Sequence, residues 1–316
     1  MFEKDENALR VGSPQQLALD VGGPESGSTG TTSTKTRSTT SMETSSRSAA
    51  VATWPPTGIR PYYLDDHCCI IHGDCREILP TFPATSFDLV LMDPPYGHNN
   101  NNGDLAHRWE EALGIHRRGQ LVRGEARPIA NDGPEANDLV RWAFGESGRL
   151  LKPGCCCCCC GGGGGPDPQF ARWSLWMDEA IGFKQAVVWD KGGLGMGWHY
   201  RRNYELMLVA EKPGAAGHWF GGSSQANVVR IPGIKPAADD HPTPKPLSLM
   251  GLFVRLHSER GDLVLDPFMG SGTTLAAAKD LGRRAIGIEI EEQYCEIAAR
   301  RLSQEVLPFA SDLRAR

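Results

Sequence analysis

The chain has 316 residues, of which 40% are hydrophobic and 22% are charged, and this composition is typical of a soluble globular protein. Its formal net charge of −5 is not that of a strongly basic nucleic-acid-binding protein, although local basic patches can still bind DNA. No apolar run is long enough to cross a bilayer and the polar N-terminus is no secretory signal, so we expect a cytoplasmic protein with no membrane partner.

Residues 1–58 are rich in Ser, Thr and Gly, and few of their apolar residues recur with any period. Such a segment cannot bury enough apolar surface to offset the entropy lost on ordering. The sequence therefore predicts a disordered tail over 1–58 and a folded domain over 59–316.

Strands and helices alternate through the rest of the chain, which predicts an α/β fold with a mostly parallel sheet. The expected strands are Cys68–Ile71, Phe87–Met92, the cysteine run described below, Gln185–Trp189, Glu205–Ala210, Leu263–Asp266 and Ala285–Glu289. The expected helices are 135–151, one carrying Phe170, Trp173, Met177 and Ile181, one carrying Leu249, Phe253 and Leu256, Thr273–Leu281, and Glu291–Ser303.

Six of the ten cysteines form one run, Cys155–Cys160. Consecutive residues of an extended chain point to opposite sides, so the run cannot direct four thiolates at one tetrahedral zinc ion. Since cysteine behaves as a small buried hydrophobe, we interpret the run as an unusual buried strand and expect no metal site. A metal or redox role is the less favoured alternative.

Residues 97–134 are polar and contain an arginine cluster, which is typical of an inserted loop region. These arginines, like Arg201 and Arg202, could form a solvated surface or contact DNA, and the sequence alone favours DNA only weakly. The clustered arginines of the insertion are Arg117, Arg118, Arg123 and Arg127.

A glycine-rich bend follows the apolar strand that ends at Asp266, in the sequence "LVLDPFMGSGTT". In open α/β sheets ligands bind beyond the carboxyl ends of the strands, and glycines let the backbone approach a ligand closely. The bend lacks the Gly-Lys-Ser/Thr of a phosphate loop and the three-glycine spacing of a dinucleotide site, and a purely structural turn is the alternative. The candidate ligand-binding residues here are Asp266, Phe268, Gly270, Gly272 and Thr273.

Glu289 ends the next strand along the chain. An acid in this position can accept hydrogen bonds from both hydroxyls of a ribose, as in nucleotide-binding folds. Together with the glycine bend, Glu289 predicts a site for an adenosine-like ligand.

The stretch "LVLMDPPYG" ends a buried strand on an acid, two prolines and an aromatic residue. Two prolines hold the backbone rigid, so that Asp93 and the carbonyl of Pro94 can each accept one N–H of an exocyclic amino group. Tyr96 can stack on the same flat base. We therefore interpret Asp93, Pro94, Pro95 and Tyr96 as the catalytic corner.

"DPPYG", followed far downstream by "DPFMGSGTT", resembles the amino-group DNA methyltransferases that use S-adenosylmethionine. The order of the two motifs is similar to the permuted beta arrangement of the N6-adenine and N4-cytosine enzymes. The resemblance covers residues 62–305. It implies a Rossmann-like methyltransferase fold, with a mostly parallel twisted sheet, helices on both faces and one antiparallel strand.

Further segments resemble motifs of this family and imply roles for their residues. In "HGDCREIL", Asp74 and Cys75 would lie along the adenine of the cofactor. In "HPTPKPLSLM", Thr243 and Lys245 would hold its methionine carboxylate. No large target-recognition domain is apparent, so a short segment at 211–240 and the insertion at 97–134 would share the contact with DNA.

The resemblance implies methyl transfer from S-adenosylmethionine to a flipped base of double-stranded DNA, without a metal. Asp at position 93 favours N6 of adenine, and N4 of cytosine is the alternative. Methylation of RNA or of a protein amide also stays open, as does a non-catalytic DNA-binding relative. The sequence does not determine whether a restriction endonuclease partner exists, nor the oligomeric state.

Overall fold

The computed structural model describes residues 58–97, 129–161, 169–193, 200–234 and 244–304. Three regions named from the sequence lie outside the described residues. They are the expected tail over 1–58, apart from its last residue, most of the insertion at 97–134, and Thr243. Within the described ranges, no helix is long and apolar enough to cross a membrane.

Most of the strands alternate with helices, as the sequence predicts. The strands are β1 (Tyr63–Leu64), β2 (Cys68–His72), β3 (Phe87–Met92), β4 (Leu151–Gly161), β5 (Phe183–Asp190), β6 (Tyr204–Glu211), β7 (Val228–Arg230), β8 (Leu263–Asp266) and β9 (Arg284–Glu289). The helices are α1 (Cys75–Ile78), a 3-10 turn (Leu79–Thr81), α2 (Ala136–Leu150), α3 (Gln169–Ala180), α4 (Leu247–His257), α5 (Thr273–Asp280) and α6 (Glu292–Ser303).

All described strands belong to one sheet, in the order β1-β2-β9-β8-β3-β4-β6-β5-β7. The strands from β2 to β4 in this order are parallel, and β6 runs antiparallel to both of its neighbours. The expected mostly parallel sheet with an antiparallel strand is therefore confirmed. The two-residue β1, antiparallel to β2 at the edge of the sheet, was not expected from the sequence.

Helices cover both faces of the sheet, and each face has its own apolar cluster. Helices α1, α2 and α3 contribute to one cluster, for example through Phe144 and Trp173. Helices α4, α5 and α6 contribute to the other, for example through Phe253 and Leu275. All six residues of the central strand β3 are buried, as expected of a parallel strand covered on both faces.

The cysteine run lies in β4 and is buried throughout, which confirms the interpretation as a core strand. Cys155, Cys157 and Cys159 pack in the cluster beside α2 and α3. The alternate residues Cys156, Cys158 and Cys160 pack in the cluster beside α4. This alternation follows from the period of two in a strand. Burial raises the pKa of every thiol in the run, so the side chains are neutral and apolar in behaviour.

The strand begins at Leu151, four residues before the first cysteine of the run. Its central part pairs with β3 on one side and β6 on the other, for example Val90 with Cys157 and Cys157 with Ala210. Backbone hydrogen bonds to β3 and β6 thus hold the cysteine run in the middle of the sheet, although its side chains are small.

Substitutions at Cys158, which is fully buried, test whether the run stabilises the sheet as apolar core. Cys158→Ser fills more space than Cys158→Ala but buries a hydroxyl, which costs about 1–3 kcal/mol when no partner is present. We therefore expect the free energy of unfolding, measured by urea denaturation, to fall further for the serine variant than for the alanine variant. A serine variant as stable as the wild type would show that this position accepts a polar group.

Candidate active site

A cavity of about 580 Å³ opens at the edge of the sheet where β2, β3, β8 and β9 end. This volume lies in the range of small-molecule sites, and the carboxyl edge of a parallel sheet is where such sites form. Twelve of the candidate residues named from the sequence line it: Asp74, Cys75, Asp93, Pro94, Pro95, Tyr96, Lys245, Asp266, Phe268, Gly270, Thr273 and Glu289. The corner at Asp93 and the bend at Gly270 therefore face one common space.

Asp93 follows the last residue of β3, and both of its carboxylate oxygens accept hydrogen bonds. The phenol of Tyr96 donates to Oδ1 at 2.8 Å. The ammonium of Lys245 donates to Oδ2 at 2.6 Å. The carboxylate is thus held in one orientation where it lines the cavity.

Lys245 is nearly buried, with 7% of its side chain exposed. Its Nζ lies 3.7 Å from the carboxylate of Glu205 and 5.3 Å from the centre of the Tyr96 ring. Burial by itself lowers the pKa of Lys245, but Asp93 and Glu205 raise it more, and the net pKa lies above the ordinary value. Lys245 is therefore an ammonium, balanced by two carboxylates.

The sequence predicts that Lys245 holds a cofactor carboxylate, whereas the contacts of the structure join it to the corner at Asp93. Contact with a cofactor stays a prediction.

Tyr96 is fixed by contacts on several sides. Its ring lies 6.0 Å from that of Trp173, and its carbonyl accepts a hydrogen bond from the side chain of Gln169. Burial and the charge of Asp93 raise the pKa of Tyr96 well above its ordinary value, so the phenol stays neutral and donates to Asp93. The next residue, Gly97, donates its N–H to Asp132 at 2.8 Å.

The glycine bend is shaped by the carboxylate of Glu289. Gly270, in the left-handed region at φ +51°, donates its N–H to Glu289 Oε2 at 2.8 Å, and Glu291 N–H donates to Oε1 at 2.9 Å. Burial raises the pKa of Glu289 despite these N–H groups, which lower it. The acid thus links the end of β9 to the bend after β8 while still lining the cavity.

Gly272 does not line the cavity, unlike the other candidate residues of the bend. Its φ is +77°, and a Cβ there would lie 2.8 Å from Cβ of Ala298. This glycine therefore lets α5 begin in close contact with α6, and its predicted contact with a cofactor stays untested by the geometry.

Asp266, at the end of β8, is 2% exposed. Burial raises the pKa of its carboxyl to about 7, against the hydrogen bonds from Thr274 and from the N–H of Phe268, which lower it. Because this pKa lies near neutral pH, a cationic ligand bound in the cavity would stabilise Asp266 as a carboxylate.

Asp74 caps the first turn of α1 by accepting a hydrogen bond from the N–H of Arg76. The guanidinium of Arg76 pairs with the same carboxylate and lowers the pKa of Asp74. The neighbouring thiol of Cys75 is buried, which raises its pKa to about 12, and it presents a neutral wall to the cavity.

Several lining residues were not named as candidates from the sequence. Glu205 and Tyr204 begin β6, and Lys191 follows β5. Because β6 is antiparallel, its first residues lie at the same edge as the carboxyl ends of the parallel strands. The sequence does place an acid, Glu205, at the start of an expected strand. If that strand had been recognised as antiparallel, Glu205 could have been predicted at the same edge of the sheet as the site. Arg202 and residues 129–132 of the insertion, which the sequence suggests only as possible DNA contacts, also line the cavity.

The chain is similar in sequence to proteins named as methyltransferases. The Type II methyltransferase M2.DpnII of Streptococcus pneumoniae is 28% identical over 259 residues, covering 78% of this chain and 93% of that protein. The DNA adenine methyltransferase YhdJ of Escherichia coli (strain K12) is 29% identical over 271 residues, covering 74% of this chain and 82% of that protein.

Solved structures show the same architecture. TTHA0409 from Thermus thermophilus, in complex with S-adenosyl-L-methionine, aligns with a TM-score of 0.54 and 26% identity, covering 76% of this chain and 95% of the other. The cytosine-N4-specific PvuII DNA methyltransferase shares the fold, with a TM-score of 0.60 and 19% identity, covering 79% of this chain and 92% of the other.

The family model described as DNA methylase, of the N6/N4 methyltransferase type, matches residues 87–300. This range is more than half of the 316-residue chain and contains both the corner at Asp93 and the bend at Gly270. The chain therefore belongs to the N6/N4 DNA methylase family.

Proposed function

We propose that the protein transfers a methyl group from S-adenosylmethionine to the exocyclic N6 of adenine in DNA. The single observation that carries this proposal is the shared cavity, onto which both the Asp93 corner and the Gly270 bend open. Membership of the DNA methylase family supports the reaction type. The relative named as a DNA adenine methyltransferase favours adenine.

The residues around the bend fit this cofactor. Glu289 would accept hydrogen bonds from the ribose hydroxyls, and the carboxylate of Asp266 suits a ligand with positive charge. Asp74 and Cys75 would lie along the adenine. Phe268, Gly270 and Thr273 would complete the pocket, and Thr243 would hold the methionine carboxylate. When bound, S-adenosylmethionine would supply a methyl group on a sulfonium, so that in-line attack of the nitrogen lone pair on the methyl carbon forms an N–C bond while the C–S bond breaks and S-adenosylhomocysteine leaves.

The corner would hold the amino group of a flipped base. Asp93 and the carbonyl of Pro94 would each accept one N–H, which leaves the nitrogen lone pair free, and Pro95 would keep the turn rigid. Tyr96 would stack on the base. Because a duplex base cannot reach a cavity at the edge of a sheet, the base must leave the helix.

Catalysis in this arrangement depends on orientation and electrostatics. Asp93 is oriented by its two donors and presents negative charge where positive charge develops on the amino nitrogen. No residue has to act as a strong base, since the amino group can lose its proton to water after transfer.

The partner that we propose is double-stranded DNA. Lys191 and Arg202 line the cavity on the side of the β5–β6 connection, where they could meet a backbone phosphate. The segments 97–134 and 211–240 stay predictions for further DNA contact, as do a cytoplasmic location and a restriction endonuclease partner.

The target base can be identified directly. DNA methylated by the purified protein is digested, and the modified nucleoside is identified by its mass. We expect the modified nucleoside to be N6-methyl-2′-deoxyadenosine. Detection of N4-methyl-2′-deoxycytidine instead would show that the target base is cytosine. Parallel reactions with RNA and with protein test those two acceptor classes, to which we expect no transfer.

Asp93→Ala is expected to retain binding of S-adenosylmethionine but to lower methyl transfer by about 100-fold or more, because the acceptor of the amino group is lost. Binding is measured by calorimetry and transfer with a radiolabelled methyl group. Asp66→Ala, an exposed acid at the opposite end of β2, is the matched control. Full activity of Asp93→Ala would refute the role of Asp93.

The pH dependence of cofactor binding tests Asp266. Its carboxyl has a pKa of about 7 in the folded protein, so it is mostly protonated below pH 7. A cationic ligand favours the carboxylate, so affinity must rise with pH. We expect the Kd for S-adenosylmethionine to fall by up to about tenfold between about pH 6 and pH 8. Asp266→Asn should flatten this profile. A flat profile for the wild type would exclude the contact.

A further inference from the structure

Glu205 has two carboxylate oxygens in different surroundings. Oε1 accepts a hydrogen bond from the ammonium of Lys191. Oε2 is buried and accepts no hydrogen bond from any residue that the structure describes, and Nζ of Lys245 lies 3.7 Å from it. Leaving a buried carboxylate oxygen without a donor costs free energy, and Lys245 lies close enough to Oε2 to become its donor after a small shift.

Glu205 belongs to a line of four charges that alternate in sign. Lys191 pairs with Glu205, Glu205 faces Lys245, and Lys245 pairs with Asp93. The members come from four separate places: the end of β5, the start of β6, the segment before α4 and the end of β3. The two positive and two negative charges cancel, which lowers the cost of burying them.

The proposed reaction places competing demands on Asp93. Its oxygens are engaged by Tyr96 at 2.8 Å and by Lys245 at 2.6 Å, yet it must also accept an N–H of the target base. A full ammonium is a stronger donor than a neutral amino group and competes for the same carboxylate. Lys245 would have to move by only about 1 Å to reach normal hydrogen-bond distance from Oε2 of Glu205.

We propose that Glu205 is a positioning residue for methyl transfer: its Oε2 accepts the ammonium of Lys245 when Asp93 accepts the amino group of the target base. This inference rests on the proposed function. Because Lys245 keeps a carboxylate partner throughout, Asp93 becomes available without leaving a buried charge unpaired. The charge of Glu205 also prevents an uncompensated ammonium from opposing the positive charge that develops on the amino nitrogen.

Glu205→Gln tests this role, with Glu146→Gln as the matched control. Both glutamates pair with a cation, and their side chains are exposed to 20% and 19%, but Glu146 pairs with Arg149 in α2. We expect Glu205→Gln to lower kcat by about tenfold or more, and to change the KM for DNA and the Kd for S-adenosylmethionine much less. Glu146→Gln should keep kcat within about twofold of the wild type.

Glu205→Asp retains the charge and should recover part of the lost kcat. If Glu205→Gln is too unstable to assay, Glu205→Asp takes its place: a lowered kcat at unchanged KM then supports the inference, and a wild-type kcat contradicts it.

The double variant Glu205→Gln/Lys245→Met tests whether Glu205 acts through Lys245. Interacting residues are not additive, so we expect the double variant to transfer methyl groups within about threefold of Lys245→Met alone in single-turnover reactions. If Glu205→Gln lowers the rate of methyl transfer in the Lys245→Met background as much as it does in the wild type, Glu205 acts independently of Lys245. That result would overturn the inference.

The outcomes also separate this inference from the proposed function. A wild-type protein that transfers no methyl group to DNA would contradict both. An active wild type together with an equally active Glu205→Gln would contradict the role of Glu205 alone. Equal changes in kcat and in the midpoint of thermal unfolding for Glu205→Gln and Glu146→Gln would indicate a structural effect and would likewise overturn it.

Discussion

The ion pair between Lys245 and Asp93 is the contact on which the organisation of the cavity depends. It joins residues 152 positions apart in the chain, at a distance of 2.6 Å. Because the lysine is nearly buried, its charge requires carboxylates close by, and this requirement holds the end of β3 next to the segment that precedes α4. The corner at Asp93 is thereby joined to the part of the chain that contains the glycine bend.

A second constraint comes from the direction of β6. Parallel strands present their carboxyl ends at the site, but an antiparallel strand presents its amino end there. Glu205 therefore reaches Lys245 from the first residues of its strand. The reversed strand adds an acid to the cavity that a parallel strand would have placed at the far edge of the sheet.

The glycine bend and the rigid corner differ in how they are held. Glu289 binds the N–H groups of Gly270 and Glu291, so the bend is fixed by an acid that also lines the cavity. The corner is fixed by proline geometry, by the phenol of Tyr96 and by Lys245. In both places a carboxylate that lines the cavity, Asp93 or Glu289, accepts hydrogen bonds that help to fix the backbone or its neighbouring side chains, so structure and proposed chemistry depend on the same residues.

The sequence by itself determined the alternation of strands and helices, the burial of the cysteine run and the residues of both motifs, because these depend on local periodicity and turn chemistry. Only the tertiary structure decided that Lys245 contacts Asp93, that Gly272 packs closely against Ala298, and that Glu205 lines the cavity. Those facts depend on strand order, strand direction and the approach of segments far apart in the chain, which no local pattern encodes.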